Sequence, residues 1–440
     1  MGKRIYLCLA HMSGNEMKYI EEAFETNWVV PLGPNVNGFE KDLEEFVGQN
    51  KKVVALSAGT AAVHLGLLAC GVGRGDEVMC QSFTFCASAH PATYLGATPV
   101  FVDSERESWN MDPELLDRAI ADRISKTGRK PKAIVPVYLY GMPARIDEIL
   151  AVARKYDIAV VEDAAEGFGS RFDGQVCGTF GDYGVLSFNG NKMITTSGGG
   201  ALVCPDEETK QRVMFFATQA REGYPYYQHE HIGYNYRLSN ICAGIGRGQM
   251  TVAEEHIEHH KHTFRLYREL LSDVEGIRIH GNPSERYDSN FWLNTIELDP
   301  ELHVVDEDKA YAKAVEGAVG GAGGQVHKAE SAHTDCEPNK NVEAMRVFLD
   351  KAGIESRPLW KPMHLQPVYK EAPAYVNGVS ESIFRRGLCL PSGPCVTDEE
   401  IAYIADSIKR GVRSEERGVR SEEFSFVIYH LSFIIRTKRV

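Results

Sequence analysis

VVALSAGTAA, residues Val53–Ala62, joins a short β-branched apolar run to a Ser/Gly/Thr turn and then to alanines. That is the pattern of a buried strand feeding directly into a helix. The join recurs downstream: EVMC at Glu77–Cys80 precedes a helical stretch from about Thr84, and TPVFVD spans Thr98–Asp103. AIVPVYLYG at Ala133–Gly141 precedes a helix over 144–156, and IAVVEDAA follows at Ile158–Ala165. Short apolar runs alternating with helical stretches make βαβ units, whose crossover helices cover both faces of a mostly parallel sheet. An α/β protein is therefore expected, with ligands bound outside the carboxyl ends of the strands.

Three of those strand ends carry usable chemistry. Ser57-Ala58-Gly59-Thr60-Ala61 opens a helix, and the free backbone N–H groups and positive dipole end of such a start suit a phosphate. The same residue types also serve as ordinary helix capping. Asp163 closes the run IAVVED, where its carboxylate either reaches into the crevice or caps a turn. The third end is SFNGNKMITTSGGG, Ser187–Gly200. The apolar run before it, YGVLSF, reads as a buried strand, and TTSGGG is a polar turn into a further strand at Ala201–Cys204. Lys192 then sits on a loop at a strand end. A lysine acting as nucleophile or base must shed its charge near neutral pH, which calls for a partly desolvated site. A plain surface lysine is the alternative.

With 440 residues and 43% hydrophobic composition, the chain has room for a large domain and a smaller companion. Its 48 basic and 61 acidic residues give a formal charge of −13, which speaks against nucleic acid as a main partner. Ten scattered cysteines form no CxxC pair and read as small buried hydrophobes of a reducing compartment. The start, MGKRIYLCLAHMSGNE, turns polar too soon for a signal peptide, and no window of about 18 apolar residues occurs. A cytoplasmic protein without membrane partners is expected.

Within Gly14–Gly48 a helix over 15–27 is expected, then a loop at Val29–Pro34, then a helix over Phe39–Val47. After a helix over 207–220 and a tyrosine-rich loop, GYPYYQHEHIGYNYR, one long helix is expected from about Leu238 to Leu271. It carries His256, His259 and His260. No carboxylate or cysteine set completes a metal site there, so these read as a solvated polar face. A strand at Phe291–Leu298, a helix at Val342–Ala352 closed by Gly353, and a helix at Asp398–Ile408 read as a smaller α+β unit. The Gly/Ala-rich stretch 316–325 falls in a long loop, 303–340. RGVRSEE occurs twice, at Arg410–Glu416 and Arg417–Glu423, and 409–440 reads as a nonessential extension.

Taken together, SAGTAA, VFVDSERESWNMDPELL, VVEDAAEGFGS, the lysine stretch, GYNYRLSNICAGIGRGQ and ESRPLWKPMHLQPVY resemble the pyridoxal-phosphate sugar-nucleotide aminotransferases of the DegT/StrS type. The resemblance runs from about Tyr6 to Ile408. It implies the fold type I of such aminotransferases: a large α/β/α cofactor domain over 14–250 and a smaller α+β domain over 251–408, with 1–13 grouped with the latter. PLGPNV, SFNGNKMITTSGGG and SRPLWKPMH are most similar to enzymes that aminate C4 of UDP-2-acetamido-2,6-dideoxy-4-keto-hexoses, of the bacillosamine type.

By that resemblance Lys192 holds pyridoxal 5′-phosphate covalently and moves the proton in catalysis, while Asp163 pairs with the pyridine nitrogen. Glu166 contacts the phenolic oxygen, where many relatives have Gln or His. Phe85 stacks on the ring, Gly59, Thr60 and Ser187 bind the phosphate, and Asn189 completes the set. Asn235 reaches the phosphate of the neighbouring subunit, which implies a homodimer with shared sites. Trp28, Pro31, Asn35, Tyr234, Arg357, Trp360, Lys361 and His364 line the sugar side; Arg357 and Lys361 either meet a diphosphate or are structural. L-glutamate is the implied amino donor, in ping-pong half-reactions, and no metal is implied. The alternatives are another keto nucleotide sugar, of GDP-perosamine or 3-amino type, and a non-catalytic regulatory protein that binds the cofactor.

Overall fold

The computed structural model describes residues 4–311 and 336–412. The 316–325 stretch and residues 413–440 of the expected extension lie outside the described residues. The first nine strands are β1 (Lys52–Leu56), β2 (Glu77–Gln81), β3 (Thr98–Val102), β4 (Ala133–Val135), β5 (Ala159–Asp163), β6 (Arg171–Phe172), β7 (Gln175–Val176), β8 (Tyr183–Ser187) and β9 (Gly200–Cys204). Then come β10 (Ile277–Ile279), β11 (Tyr287–Asp288), β12 (Asn294–Leu298), β13 (Arg357–Pro358), β14 (Ala374–Tyr375) and β15 (Gly387–Leu390).

Eight of them form the main sheet in the order β1-β9-β8-β5-β4-β2-β3-β14. All run the same way except β9, which pairs antiparallel with both β8 and β1. Their apolar residues, such as Val54, Val78, Val100 and Val161, are buried on both faces, as crossover helices require. The helices α1 (Glu16–Glu25) and α2 (Pro34–Val47) precede β1, and α3 (Gly59–Ala69), which follows it, is apolar nearly all round and correspondingly buried. Gly66 lets it lie against β5 and β9: a Cβ there would sit 3.1 Å from Val161 Cγ1 and 3.3 Å from Leu202 Cδ1.

A four-stranded antiparallel sheet, β10-β12-β15-β13, is covered by the helices Ala253–Leu270, Lys340–Lys351 and Asp398–Gly411, around Tyr267, Ile296, Met345, Leu388 and Ile404. β6, β7 and β11 form a third small sheet. The chain after β13 returns to the main sheet, where β14 adds in parallel to β3. Buried Asp103 fixes that return by accepting the amides of Asn377 (3.1 Å), Gly378 (2.9 Å) and Ser380 (3.1 Å).

Four local expectations are corrected. The second helix begins at Pro34, not Phe39, because Pro suits the first helical position and Gly33 takes the positive φ of +138° before it. Its first amides, of Asn35 and Val36, are capped from afar by Asn240 Oδ1 at 3.0 and 3.2 Å. The stretch from Thr84 forms only a 3-10 turn, Cys86–Ser88, and a short helix, His90–Tyr94. The long helix over 238–271 is two, Asn240–Met250 and Ala253–Leu270. At the break the Thr251 hydroxyl donates to Gly248 O (2.6 Å) and the β-branched Val252 leaves helical geometry. The final helix extends to Gly411 rather than ending at Ile408.

The histidine face is the largest correction. His256 and His260 are buried, because their helix packs against the lysine loop and the turn before β12. His256 Nδ1 lies 3.1 Å from Met193 O, and His260 Nδ1 lies 3.2 Å from Phe291 O. Burial holds both below the ordinary histidine range, His260 down to about 3. Among the described residues no His/Cys/Asp/Glu group is arranged to hold a metal. No two of the ten cysteines are joined by a disulfide.

Candidate active site

Parallel strands leave a crevice at their carboxyl ends where neighbouring connections diverge. Here β1, β2, β5 and β8 open onto one cavity of about 310 Å³, lined by Ser57–Thr60, Thr84, Phe85, Ser88, Asp163, Glu166, Ser187, Asn189, Asn191, Lys192, Trp292 and Trp360 among others. The reversal of β9 shapes it. Residues 188–199 form the connection of an antiparallel pair, and its mouth is closed by Phe188 N donating to Gly199 O (2.9 Å) and Thr196 N to Phe188 O (3.0 Å). Lys192 rides on this loop, over the end of β5.

Strand alternation sends the two acids of VVED to opposite faces. Glu162 turns inward to the core, accepting the amides of Gly178 (2.9 Å) and Phe180 (2.7 Å) and the Tyr138 hydroxyl. Asp163 faces the cavity, accepting from Ser88 Oγ at 2.6 Å and Ala165 N at 3.1 Å. Ser88 is in turn 2.7 Å from Thr84 Oγ1. Burial raises the Asp163 carboxyl above the usual range, and the Ser88 and Ala165 bonds and the charge of Lys192 work against that rise.

Lys192 Nζ lies 3.4 Å from Glu166 Oε1 and 3.9 Å from the centre of the Trp292 ring. Glu166 is buried, and that desolvation pushes it up to about 7, although Lys192 and the Tyr140 amide, 2.7 Å from Oε2, favour its ionised form. Tyr140 makes this contact from a left-handed backbone, φ 54° and ψ 17°, and its hydroxyl accepts the Trp360 amide at 2.9 Å. Trp360 stands near Phe85, Tyr140 and Trp292, with ring centres 5.3, 5.1 and 6.3 Å away.

At the β1 end, no side chain caps α3, so its first amides face the cavity beside the Thr60 and Ser187 hydroxyls. Close packing makes this cradle. A Cβ on Gly59 would lie 3.0 Å from Ser187 Cβ, and one on Gly200 only 2.4 Å from Gly59 N. A phosphate, a pyridine nitrogen and an aldehyde carbon each find a matching group in this one cavity: an uncapped helix start, a buried carboxylate and a primary amine.

Of the residues expected from sequence, Gly59, Thr60, Phe85, Asp163, Glu166, Ser187, Asn189, Lys192 and Trp360 line the cavity. Asn235 does not; it is exposed and bridges Thr218. Trp28 and Pro31 lie on the exposed loop before the second helix. Tyr234 stacks on Tyr236, ring centres 5.1 Å apart. Arg357 pairs with Glu355 at 2.8 Å, and His364 Nδ1 is 2.6 Å from Ser82 Oγ. Lys361 is half-buried. Asn35 is 3% exposed in the first turn of the second helix, and its amide donates to Tyr19 O at 3.0 Å. Sequence reasoning missed Ser88, Tyr140 and Trp292. Ser88 follows a strand end, a usable signal; Trp292 arrives from a hundred residues away.

The DegT/DnrJ/EryC1/StrS aminotransferase family profile matches residues 11–333 and 326–409. The chain belongs to this family. Its cofactor is pyridoxal phosphate, and its activity class is sugar aminotransferase. EpsN of Bacillus subtilis (strain 168), assigned as a pyridoxal phosphate-dependent aminotransferase, is 43% identical over 404 residues, 91% of this chain and 94% of that protein. GDP-perosamine synthase of Escherichia coli O157:H7 is 32% identical over 399 residues, covering 90% and 95%. A crystal structure of a family member from Brucella abortus superimposes with a TM-score of 0.76 at 29% identity, covering 90% and 95%. Among the described residues no helix is long and apolar enough to cross a membrane.

Proposed function

We propose that this chain transfers the amino group of L-glutamate to C4 of a UDP-2-acetamido-2,6-dideoxy-4-keto-hexose. The observation that carries the chemistry is the meeting of Lys192, Asp163, Glu166 and the uncapped start of α3 in one cavity. When bound, the cofactor supplies an aldehyde carbon that exchanges amines and a ring that accepts electrons. Lys192 would hold that carbon through its Nζ and, as a free amine, would move a proton at the donor's Cα. Asp163 pairs with the ring nitrogen and keeps it protonated, held in place by Ser88 and Ala165. Glu166 meets the phenolic oxygen, and Phe85 covers the ring.

Gly59, Thr60 and Ser187 bind the phosphate, with Asn189 beside them. Asn235, exposed on its own subunit, serves the phosphate of a second copy, so the working unit is a homodimer with shared sites. The large unit, 14–250, carries the cofactor groups, and 251–408 forms the smaller one. Trp28, Pro31, Asn35, Tyr234, Arg357, Trp360, Lys361 and His364 form the sugar side.

A GDP-linked keto-sugar is the second reading, favoured by the 32% identity to a GDP-perosamine synthase over 90% of the chain. Purified protein supplied with glutamate and either UDP- or GDP-linked 4-keto-6-deoxy sugars separates the two by kcat/KM. At least tenfold preference for the UDP-linked 2-acetamido substrate is expected. Preference for the GDP sugar overturns the first reading and leaves the aminotransferase class intact.

A further inference from the structure

Trp292 takes no part in the roles above, yet it makes the closest aromatic contact to the reactive amine. It lies in the turn entering β12, on the second sheet, and is 2% exposed. Its indole face lies 3.9 Å, measured to the ring centre, from Lys192 Nζ, and its Nε1–H donates to Asn191 O at 2.6 Å. One side chain thus touches both the amine and the backbone of the residue just before it. A charged amine over an indole face is attracted by the ring's quadrupole; the neutral amine that attacks an aldehyde loses that attraction but keeps the placement given by the ring contact and by the Nε1–H bond that holds the loop.

The amine's other neighbour is Glu166, and both neighbours are set by a single residue. Asn290 is fully buried. Its side-chain amide donates to Glu166 O at 2.8 Å and Phe168 O at 2.9 Å, while its Oδ1 accepts the Trp292 amide at 2.8 Å. All three bonds are directed, so Asn290 fixes the spacing of the two groups that Lys192 Nζ touches. Phe291, between them in sequence, takes a left-handed φ of 51° to bring the indole round.

We infer that Trp292, seated by Asn290, is a positioning residue for Lys192: it aims the amine into the cavity and holds the Asn191 carbonyl so that the loop keeps its shape. This rests on the assignment of Lys192 as the residue that bonds the cofactor. In that step the neutral amine nitrogen bonds to the aldehyde carbon, and the aldehyde oxygen leaves as water, carrying both amine hydrogens. Loss of the indole should slow the bond's formation without weakening the grip on the cofactor's phosphate.

Cofactor-free wild type, Trp292→Leu, Trp292→Phe and Asn290→Ala are mixed with pyridoxal phosphate, and bond formation is followed by absorbance and by borohydride fixation to Lys192. Pyridoxamine phosphate, which has no aldehyde, reports non-covalent binding to the same proteins. Bond formation about tenfold slower is expected for Trp292→Leu and about threefold slower for Trp292→Phe, which keeps a ring face but no N–H. Pyridoxamine phosphate affinity should stay within about twofold of wild type in both. Asn290→Ala should fall between wild type and Trp292→Leu. If Trp292→Leu does not fold, Trp292→Phe alone decides. Bond formation at or above the wild-type rate overturns the inference, as does an equal loss of pyridoxamine phosphate affinity. Wild type that fixes cofactor elsewhere than Lys192 overturns the assignment beneath it instead.

Discussion

The two edges of the main sheet carry the same kinds of residue with opposite consequences. At the carboxyl edge Lys192 and Glu166 lie 3.4 Å apart with side chains 13% and 4% exposed. At the amino edge, in a groove lined by Lys130, Lys132, Arg154, Asp157 and Asp182, Lys130 and Asp157 lie closer, at 2.7 Å, but are 45% and 99% exposed. Water and salt screen the second pair, and Lys130 merely holds the Asp157 carboxyl below its ordinary range. Removed from water, Glu166 shifts the other way, pushed up to about 7. Distance is therefore a poor guide to which ion pair matters; desolvation decides.

The largest test of that contrast is Lys192→Ala. Turnover should fall by about 10⁴-fold or more, the loss expected when the proton-moving group is removed, and borohydride should no longer fix the cofactor. Melting temperature, measured without cofactor, should show the fold kept. Residual transamination within tenfold of wild type would break the contrast at its strongest point.

Glu166→Gln sharpens it through pH. Glu166 binds its proton more tightly in the folded protein, at about 7, than at its ordinary 4.5, so the folded state is favoured by this group at acid pH. That contribution is lost as pH rises through about 7, and is on the order of 2–3 kcal/mol across the window. Denaturant titrations of cofactor-free protein from pH 4.5 to 8 should therefore slope downward in wild type relative to Glu166→Gln. Parallel curves would mean that the carboxyl titrates where an exposed one does.

Lys130→Ala supplies the small end. It removes the shorter ion pair, yet neither melting temperature nor kcat/KM should change measurably. A clear loss in either would show that the amino edge has a task of its own.

The main sheet was legible because its signals are local. Runs such as VVAL and IAVVED declare buried strands by themselves, and Lys192, Asp163 and Gly59 stand at their ends. What escaped depends on partners distant in the chain. His256 looks like one polar residue on an amphipathic helix until Met193 packs over it, and nothing in FWLNTIEL says that its tryptophan faces a lysine a hundred residues earlier. The burial of Asn35 has the same origin, since Tyr19 accepts its side-chain amide and Asn240 its backbone N–H. The helix break at Thr251 and Val252 goes with one hydroxyl bond and one non-helical residue, a balance too fine for periodicity to reveal.

β9 is wedged between the strand before the lysine loop and the strand before α3, with Gly200 opposite both Ser187 and Leu56. The reactive amine is thus tethered like a bucket on a fixed handle: both ends of the handle are riveted to the sheet next to the phosphate cradle. Insertions or deletions within 189–195 would alter the swing of the bucket and leave the rivets alone, whereas a single methyl group at Gly200 would prise the handle from the wall.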